Sequence, residues 1–439
     1  MANEDVQFYF DRANYYDAVS FADSIFRVLR YLNNNYDEIP EYEQILVDEY
    51  QDFNKLVVFF LDLLAKKSGI LIVGDDDQAL YGNMRTASPK YMRDKYYGSE
   101  YRNYDLPYCS RCTKVIVRSM KDVVSQAQSI GKLKSRIDKE FKCFTPGKRE
   151  DSENYPKIIH AHCTVQKSSI PYISRFIDEQ LSSLSAKQIN KAKQEADFTA
   201  LVAAPTRPPY LDQIETYFQE KGYYQVFTKS NNTSDMPPVL DGYEKLLKQG
   251  RKTNLGWRIL LKCRSIDETP DIIKKAGNDN SIFSFLPEEF KDKHLFLLDS
   301  YEKIKNEKEL SKVERQVFEE ELDITPAEVD GVIRPEDEEG KEGDKIDIMV
   351  TTYVGCKGLS GGFVFLTGLN NGTVPNNPAS PLNIEIRNFI VALTRTVKRC
   401  YLISNSFFGG SRQGKSSVFI DWINDKRIDY QYVDKDYWR

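Results

Sequence analysis

The sequence predicts an α/β protein built on parallel sheet, with a block of helices inserted into it. Three observations carry this. Short apolar runs, ILV (45–47) and ILIV (70–73), each end in acidic residues and flank the helix-like stretch KLVVFFLDLLAKK. The alternation recurs from residue 156 as IIHAHC, SSIPYISRFIDEQL, TALVAAP, LDQIETYFQEKGY and YQVF, and again as DIMVTT, FVFLTGL, a helix around NFIVALTRTVKR, and CYLIS. Between those two stretches the chain turns helical and charged, from about 238 to 330. Buried strands alternating with helices give a parallel sheet, and chemistry there collects at the carboxyl ends of the strands.

The remaining elements follow from local pattern. Ala18, Phe21, Ala22, Ile25, Leu29 and Leu32 recur at helical spacing, with Asp17 as the expected N-cap. EDEEGKEGDK (336–345) is expected to be a solvated loop. The chain of 439 residues is 41% hydrophobic and 29% charged, enough for two or three domains. It has no apolar run of membrane-spanning length and no signal-peptide pattern at its start. Seven scattered cysteines suggest no disulfide framework, which fits a reducing, cytoplasmic setting. A net charge of −5 neither suggests nor excludes nucleic acid, since a basic groove can sit on an acidic protein.

ILVDEYQDFN (45–54) sets Asp48 and Glu49 at the end of a buried strand. Adjacent carboxylates there suit a Mg²⁺-nucleotide site, one holding the metal's shell and one deprotonating water. An acidic helix start is the alternative. ILIVGDDDQALYG (70–82) repeats the pattern and puts Gln78 thirty residues after Asp48. The two stretches reinforce each other.

From about residue 15 to the C-terminus the sequence resembles a UvrD/Rep-type superfamily-one DNA helicase. DEYQD resembles that family's motif II and GDDDQALYG its motif III. LPYCSRC (106–112) falls at motif IV, YVGCKGLSGGFVFLTGL (353–369) resembles motif V, and NFIVALTRTVKRCYL (388–402) motif VI. The resemblance implies two RecA-like P-loop NTPase-type domains, the first incomplete, with ATP in the cleft between them and single-stranded DNA across their tops. It implies that Asp48 holds Mg²⁺ through water, Glu49 is the general base, Gln78 senses the γ-phosphate and Arg395 reaches that phosphate from the second domain. Tyr108 would stack on adenine, and Arg111, Lys357 and Gly358 would lie at the nucleotide. Arg85 and Thr352 would contact DNA. The implied division is 1–125 as the later part of the first RecA-like domain, 126–155 as linker, 156–237 and 336–439 as the second domain, and 238–335 as its helical insertion.

The departures are specific. Cys109 stands where motif IV has its arginine, and Arg111, two residues on, is the expected substitute. Ser360 follows Lys357, Gly358 and Leu359 where a carboxylate is usual, and Val354 replaces a histidine. Asn83 and Met84 replace an aromatic before Arg85. No glycine precedes Gly69, and 47 residues precede Asp48, so the family's phosphate-binding Walker A loop is missing from this stretch. GGSRQGKSS (409–417) matches GxxxxGK[ST], but it follows motif VI after an intervening NSFF, whereas a working loop joins strand directly to helix beside the DExx acid. It is expected to be an ordinary turn. Cys109, Cys112, His160, His162 and Cys163 could be read as a zinc set, but their spacing fits no common finger.

Three functions compete. One is an ATP-driven motor stepping 3′ to 5′ on single-stranded DNA or single/double-strand junctions, with ATP and Mg²⁺. Another is a non-catalytic nucleic-acid-binding or scaffolding protein. The third is the C-terminal portion of a helicase whose P-loop comes from an upstream segment or partner protein. Glu49, Gln78 and Arg395 together favour hydrolysis, and the expectation is the last of these.

Overall fold

The computed structural model describes residues 3–16, 18–80, 86–164, 169–205, 210–228, 238–264, 269–277, 281–306, 308–322, 324–326, 329, 345–408, 411–412, 415–434 and 436–437. The chain forms two compact units, residues 29–229 with 343–439, and residues 1–28 with 230–342.

In the larger unit, β1 (Ile45–Val47) and β2 (Ile70–Ile72) pair in parallel, Ile45 beside Ile70 and Val47 beside Ile72. The helix Lys55–Leu64 crosses between them. Asn54 starts it, its side chain accepting from the Val57 N–H, one of the donors a helix start leaves unpaired. Val47, Tyr50 and Val58 make the small core beneath, and Leu32, Ile39, Leu63 and Leu64 a second. A short parallel pair follows, β3 (Tyr108–Cys109) and β4 (Lys142–Cys143).

The main sheet has seven strands: β5 (Ile158–Cys163), β6 (Phe198–Ala204), β7 (Tyr224–Thr228), β8 (Ile346–Thr352), β9 (Gly361–Leu366), β10 (Thr396–Asn405) and, beyond the hairpin strands β11 (Phe407–Phe408) and β12 (Ser411–Arg412), β13 (Ile428–Val433). Its order is β13-β5-β10-β9-β6-β8-β7, with every pair parallel. Alternation along the strands feeds two cores. Leu201, Ala203, Val364, Leu366 and Leu402 enter one; Ala200, Val202, Phe363, Phe365, Tyr401 and Ile403 enter the other. With both faces covered, such strands read as continuous apolar runs. The pair Gly361–Gly362 is required by packing: a Cβ at Gly361 would lie 2.7 Å from that of Leu201, and one at Gly362 2.6 Å from that of Ala192.

The helix Lys114–Ser129 belongs to this packing, since Val115, Ile116, Val123 and Ala127 share a core with Leu201 and Val364. From the sequence its residues fall to the first RecA-like part and the linker.

One correction matters for the site. The expected helix around NFIVALTRTVKR stops at Leu393, and β10 starts at Thr396. Thr394 turns its hydroxyl back onto the Ile390 carbonyl at 2.9 Å, and the β-branched Thr396 and Val397 favour strand. Arg395 therefore sits at the turn between helix and strand.

A buried charge cluster holds the sheet to its flanking helices. Lys398 Nζ in β10 reaches Asp151 Oδ2 at 3.0 Å and Glu195 Oε2 at 2.7 Å, and Lys148 reaches Glu195 at 2.9 Å.

The smaller unit is helical. Pro238–Gln249, Asn254–Cys263, Thr269–Ala276, Glu288–Lys305 and Lys312–Leu322 enclose Tyr243, Trp257, Leu297, Tyr301 and Phe318. Two of its buried aromatic side chains find polar partners inside: the Trp257 indole donates to the Arg251 carbonyl at 2.8 Å, and Tyr243 Oη pairs with His294 Nδ1 at 2.8 Å. Burial pushes His294 down to about 3, so it is a neutral core residue near pH 7. Tyr15 and Tyr16 pack here too, with Asn254 donating to the Tyr15 carbonyl at 3.1 Å and Arg258 to Tyr16 Oη at 2.8 Å. The N-cap expected at Asp17 lies outside the described residues. The helix Phe21–Asn34 starts after Ser20, whose hydroxyl accepts the Asp23 N–H at 3.2 Å, and Phe21 is 95% exposed rather than on a buried face. Of the loop expected at 336–345, residues 336–344 lie outside the described residues.

Candidate nucleotide site

The chain leaves β1 through Asp48 and Glu49, both exposed, with Glu49 in the left-handed region at φ 52°. That turn reverses the chain after the strand and presents the carboxylates at its carboxyl end. Asp48 Oδ1 accepts the Glu49 N–H at 2.7 Å. Gln51, fully buried, donates to Glu49 Oε2 and accepts the Asp75 N–H at 3.0 Å, tying the loop after β1 to the loop after β2.

The loop after β2 is fixed by its three aspartates. Asp76 pairs with Arg93 at 2.8 Å and Lys139 at 2.6 Å, and Asp77 with Arg136 at 2.6 Å. Burial opposes ionisation of Asp76, yet Lys139 and Arg93 hold its carboxyl below the usual value. Asp75 accepts Gln78 Nε2 at 2.8 Å. With its amide nitrogen committed to a carboxylate, Gln78 has its carbonyl oxygen left to accept a hydrogen bond.

It accepts from Arg395. The guanidinium Nη2 lies 2.9 Å from Gln78 Oε1 and its Nε donates to the Val391 carbonyl at 3.0 Å. Arg395 is 4% exposed, and burial together with the charge of Arg111 lowers its proton affinity. Lys357, in the loop after β8, donates to the Gln78 carbonyl at 3.0 Å, is ion-paired with Asp52, and lies 3.5 Å from Glu49 Oε2. Glu49, Gln78, Lys357 and Arg395 thus converge within one network, although Gln78 and Arg395 are 317 residues apart.

The other candidates take their places around it. Gly358, at φ +81°, ends the turn that carries Lys357. Thr352 closes β8, its Oγ1 accepting the Gly355 N–H at 3.1 Å. Tyr108 is exposed, with Lys142 Nζ 5.9 Å from its ring centre. Arg111 is exposed beside Cys109, whose thiol is pulled down to about 6, first by its hydrogen bond with Cys112 and then by nearby N–H groups and Arg111, against the effect of burial. Cys112 Sγ donates to the Thr394 carbonyl at 3.3 Å, next to Arg395. Ser360 spans Asp197, donating to Oδ2 at 2.7 Å and accepting its N–H at 3.1 Å, so it clamps β9 to β6. Arg85 lies outside the described residues. Gln51 and Asp52 are the members missed from the sequence, where both stood in plain view within DEYQD.

Two further motifs resolve locally. His160 Nε2 and His162 Nδ1 share Ser404 Oγ, at 2.8 and 2.7 Å. Among the described residues, Asp75, Asp76 and Asp77 are the group of potential ligands close enough to share an ion, and Arg93, Arg136 and Lys139 already face them. In GGSRQGKSS, Ser411 and Arg412 form β12 in an antiparallel hairpin with β11, Lys415 is exposed, and Ser417 caps the four-residue helix Val418–Asp421.

The loops after β1 and β2 thus bring a carboxylate pair and a glutamine to the buried arginine that precedes β10 of the seven-stranded sheet. Residues 1–97 match the UvrD/REP helicase N-terminal domain. The chain is 23% identical to the ATP-dependent DNA helicase PcrA of Leuconostoc citreum, across 94% of this chain and 62% of that one. It is 23% identical to the ATP-dependent DNA helicase srs2 of Schizosaccharomyces pombe, across 88% and 49%. Against DNA helicase II of Haemophilus influenzae it is 40% identical over 81 residues, 17% of this chain and 11% of that one. The resemblance read from the motifs holds, and the chain is related to the UvrD/Rep-type helicases. It spans 11% to 62% of the length of these relatives. No helix among the described residues is long and apolar enough to cross a membrane.

Proposed function

We propose that residues 1–439 carry the hydrolysis and coupling residues of an ATP-dependent DNA translocase or helicase, moving 3′ to 5′ on single-stranded DNA and opening junctions. One observation supports this most: the 2.9 Å hydrogen bond between Arg395 and Gln78. It links the loop after β2 to the helix–strand turn before β10 and leaves Glu49 exposed beside them.

In this reading Glu49 takes the proton from the attacking water. Its carboxylate is exposed to solvent and lies 3.5 Å from the Lys357 ammonium, placed to meet a water at the carboxyl end of β1. Arg395 turns from Gln78 to the transferring phosphoryl group, where a planar cation with several donors stabilises spreading negative charge. Gln78 then reports that exchange to the loop after β2. Lys357 joins the loop that follows Thr352 at the end of β8 to Asp52, so movement at the nucleotide would reach the proposed DNA contact. The exposed Asp48 carboxylate fits a hydrated Mg²⁺, which supplies charge neutralisation at the phosphates. Within the larger unit we assign a RecA-like role to the seven-stranded sheet and a partial one to the β1–β2 region, with the helical unit as an insertion.

Residues 1–47 contain no glycine-rich nest and no lysine at a strand–helix junction to grip the β- and γ-phosphates. We therefore assign that grip to a segment or partner additional to these residues. The purified 439-residue chain is expected to hydrolyse ATP barely above background, and to gain DNA-stimulated turnover when a P-loop segment is supplied as a longer chain or by co-expression. Robust turnover by the chain alone would refute the division of labour. Continued inactivity of the completed protein, with DNA still bound, would favour a scaffolding role.

A further inference from the structure

A groove of about 760 Å³ opens at the edge of the seven-stranded sheet, away from Gln78 and Arg395, among Arg412, Lys415, His162, Tyr430 and Tyr432. Tyr430 and Tyr432 alternate onto one face of the edge strand β13, and they are 50% and 70% exposed. In the parallel register Tyr430 lies beside His160 and Tyr432 beside His162. Each imidazole stands edge-on to its tyrosine, with ring centres 5.4 and 6.4 Å apart. The histidines are themselves held by Ser404, and Tyr430 Oη is anchored on Asp425 at 3.0 Å. The result is a pair of supported, half-open aromatic faces with two exposed cations, Arg412 and Lys415, on the same rim.

We propose that this groove binds a single strand of nucleic acid, with bases on Tyr430 and Tyr432 and backbone phosphates on Arg412 and Lys415. The proposal rests on the single-strand reading given above and adds a contact to it. Stacking platforms flanked by cations hold single strands without regard to sequence, because every base offers a π-face.

Position supports the assignment. Every strand of the sheet is parallel, so the carboxyl ends of β8 and β13 lie along one edge. Five strand spacings separate Thr352, the expected DNA contact ending β8, from Tyr432, a distance of roughly 24 Å at about 4.8 Å per step. A strand crossing the tops of the sheet from Thr352 would arrive at the groove.

The chemistry disfavours a nucleoside triphosphate here. Asp421 also lines the groove, and burial and then Asp425 push its carboxyl up from its ordinary value while Lys415 opposes them. The histidines bring no positive charge near neutral pH, since burial takes His160 down to about 4 and lowers His162 too. A phosphodiester carries one charge per unit and can meet Arg412 and Lys415 in turn, whereas a triphosphate concentrates its charge beside Asp421.

The test is fluorescence anisotropy of a fluorescein-labelled oligothymidine of about 20 nucleotides with the full chain, in low and rising salt. Tyr430→Ala with Tyr432→Ala is expected to weaken binding at least about tenfold, while the paired Phe variants bind nearly as well as the parent. Arg412→Ala with Lys415→Ala is expected to lower the salt slope by about 1.4, from about 0.7 per phosphate contact. Photocrosslinking with bromodeoxyuridine should label the peptide containing Tyr430 and Tyr432, and this reading stands even if an Ala variant folds poorly. Unchanged affinity in well-folded Ala variants, or crosslinks confined to other peptides, would overturn the groove and leave the translocase reading in place. A parent chain that binds no oligonucleotide at low salt would overturn both. Loss of ATP affinity instead of oligonucleotide affinity in Lys415→Ala would return the GKSS loop to the nucleotide.

Discussion

Arg395→Ala, in a protein completed with its phosphate-binding loop, is expected to lower kcat for ATP hydrolysis about 10³-fold or more, while the KM for ATP changes only a few-fold. The asymmetry follows from what Arg395 touches. Its guanidinium is buried, fixed by the Val391 carbonyl and Gln78, and shares its surroundings with Arg111, all of which press it to find an anion. In the proposed reaction the charge it would meet is largest in the transition state, so its loss should cost turnover rather than ground-state binding. Arg395→Lys should rescue poorly, since a lysine cannot span Val391, Gln78 and a phosphoryl oxygen at once. Equal losses in kcat/KM and in ATP affinity would mean that Arg395 only anchors the nucleotide.

The largest effect on folding is expected at Lys398. Lys398→Ala should destabilise the larger unit by about 3–5 kcal/mol, measured as a fall in the urea midpoint. The ammonium is almost fully buried and bridges Asp151 and Glu195, so its removal leaves a cavity and two neighbouring carboxylates with only Lys148 and Lys191 to balance them. The pH dependence has a definite sign. Burial works against ionising Asp151 and Glu195, but Lys398 and its neighbours lower both below their ordinary values. A depressed carboxyl contributes stability that is present above its unfolded value, near about 4, and is lost as pH falls through the folded value. The parent should therefore lose stability on acidification below about pH 4 more steeply than Lys398→Met. A loss under about 1 kcal/mol in Lys398→Ala would show that the cluster is solvated and contributes little.

The sequence carried the parts of the fold that local pattern encodes. Buried runs such as TALVAAP and FVFLTGL announced β6 and β9, and GDDDQ and VALTR marked Gln78 and Arg395. Three things were out of reach for physical reasons. The strand order depends on pairings between residues hundreds of positions apart, such as β5 with β10, which no local periodicity reports. The junction at Leu393 was lost because apolar spacing runs smoothly from helix into strand, and the β-branched residues after it were the available signal. β13 was passed over because IDYQYV, on an edge, buries only its ends, yet its alternating aromatic and β-branched residues are strand-like. At the site, Gln51 and Asp52 stood next to the residues singled out. Their roles emerge only when Glu49, Asp75 and Lys357 are brought to them by the fold.

The central claim is that Glu49, Gln78 and Arg395 serve one hydrolysis reaction, and single-turnover ATP hydrolysis by the completed protein with Glu49→Gln addresses it most directly. Removing the base while keeping the side chain's size is expected to slow the chemical step at least about 10²-fold, with ATP and oligonucleotide still bound at parental affinity. A variant that hydrolyses ATP at the parental rate would contradict the account.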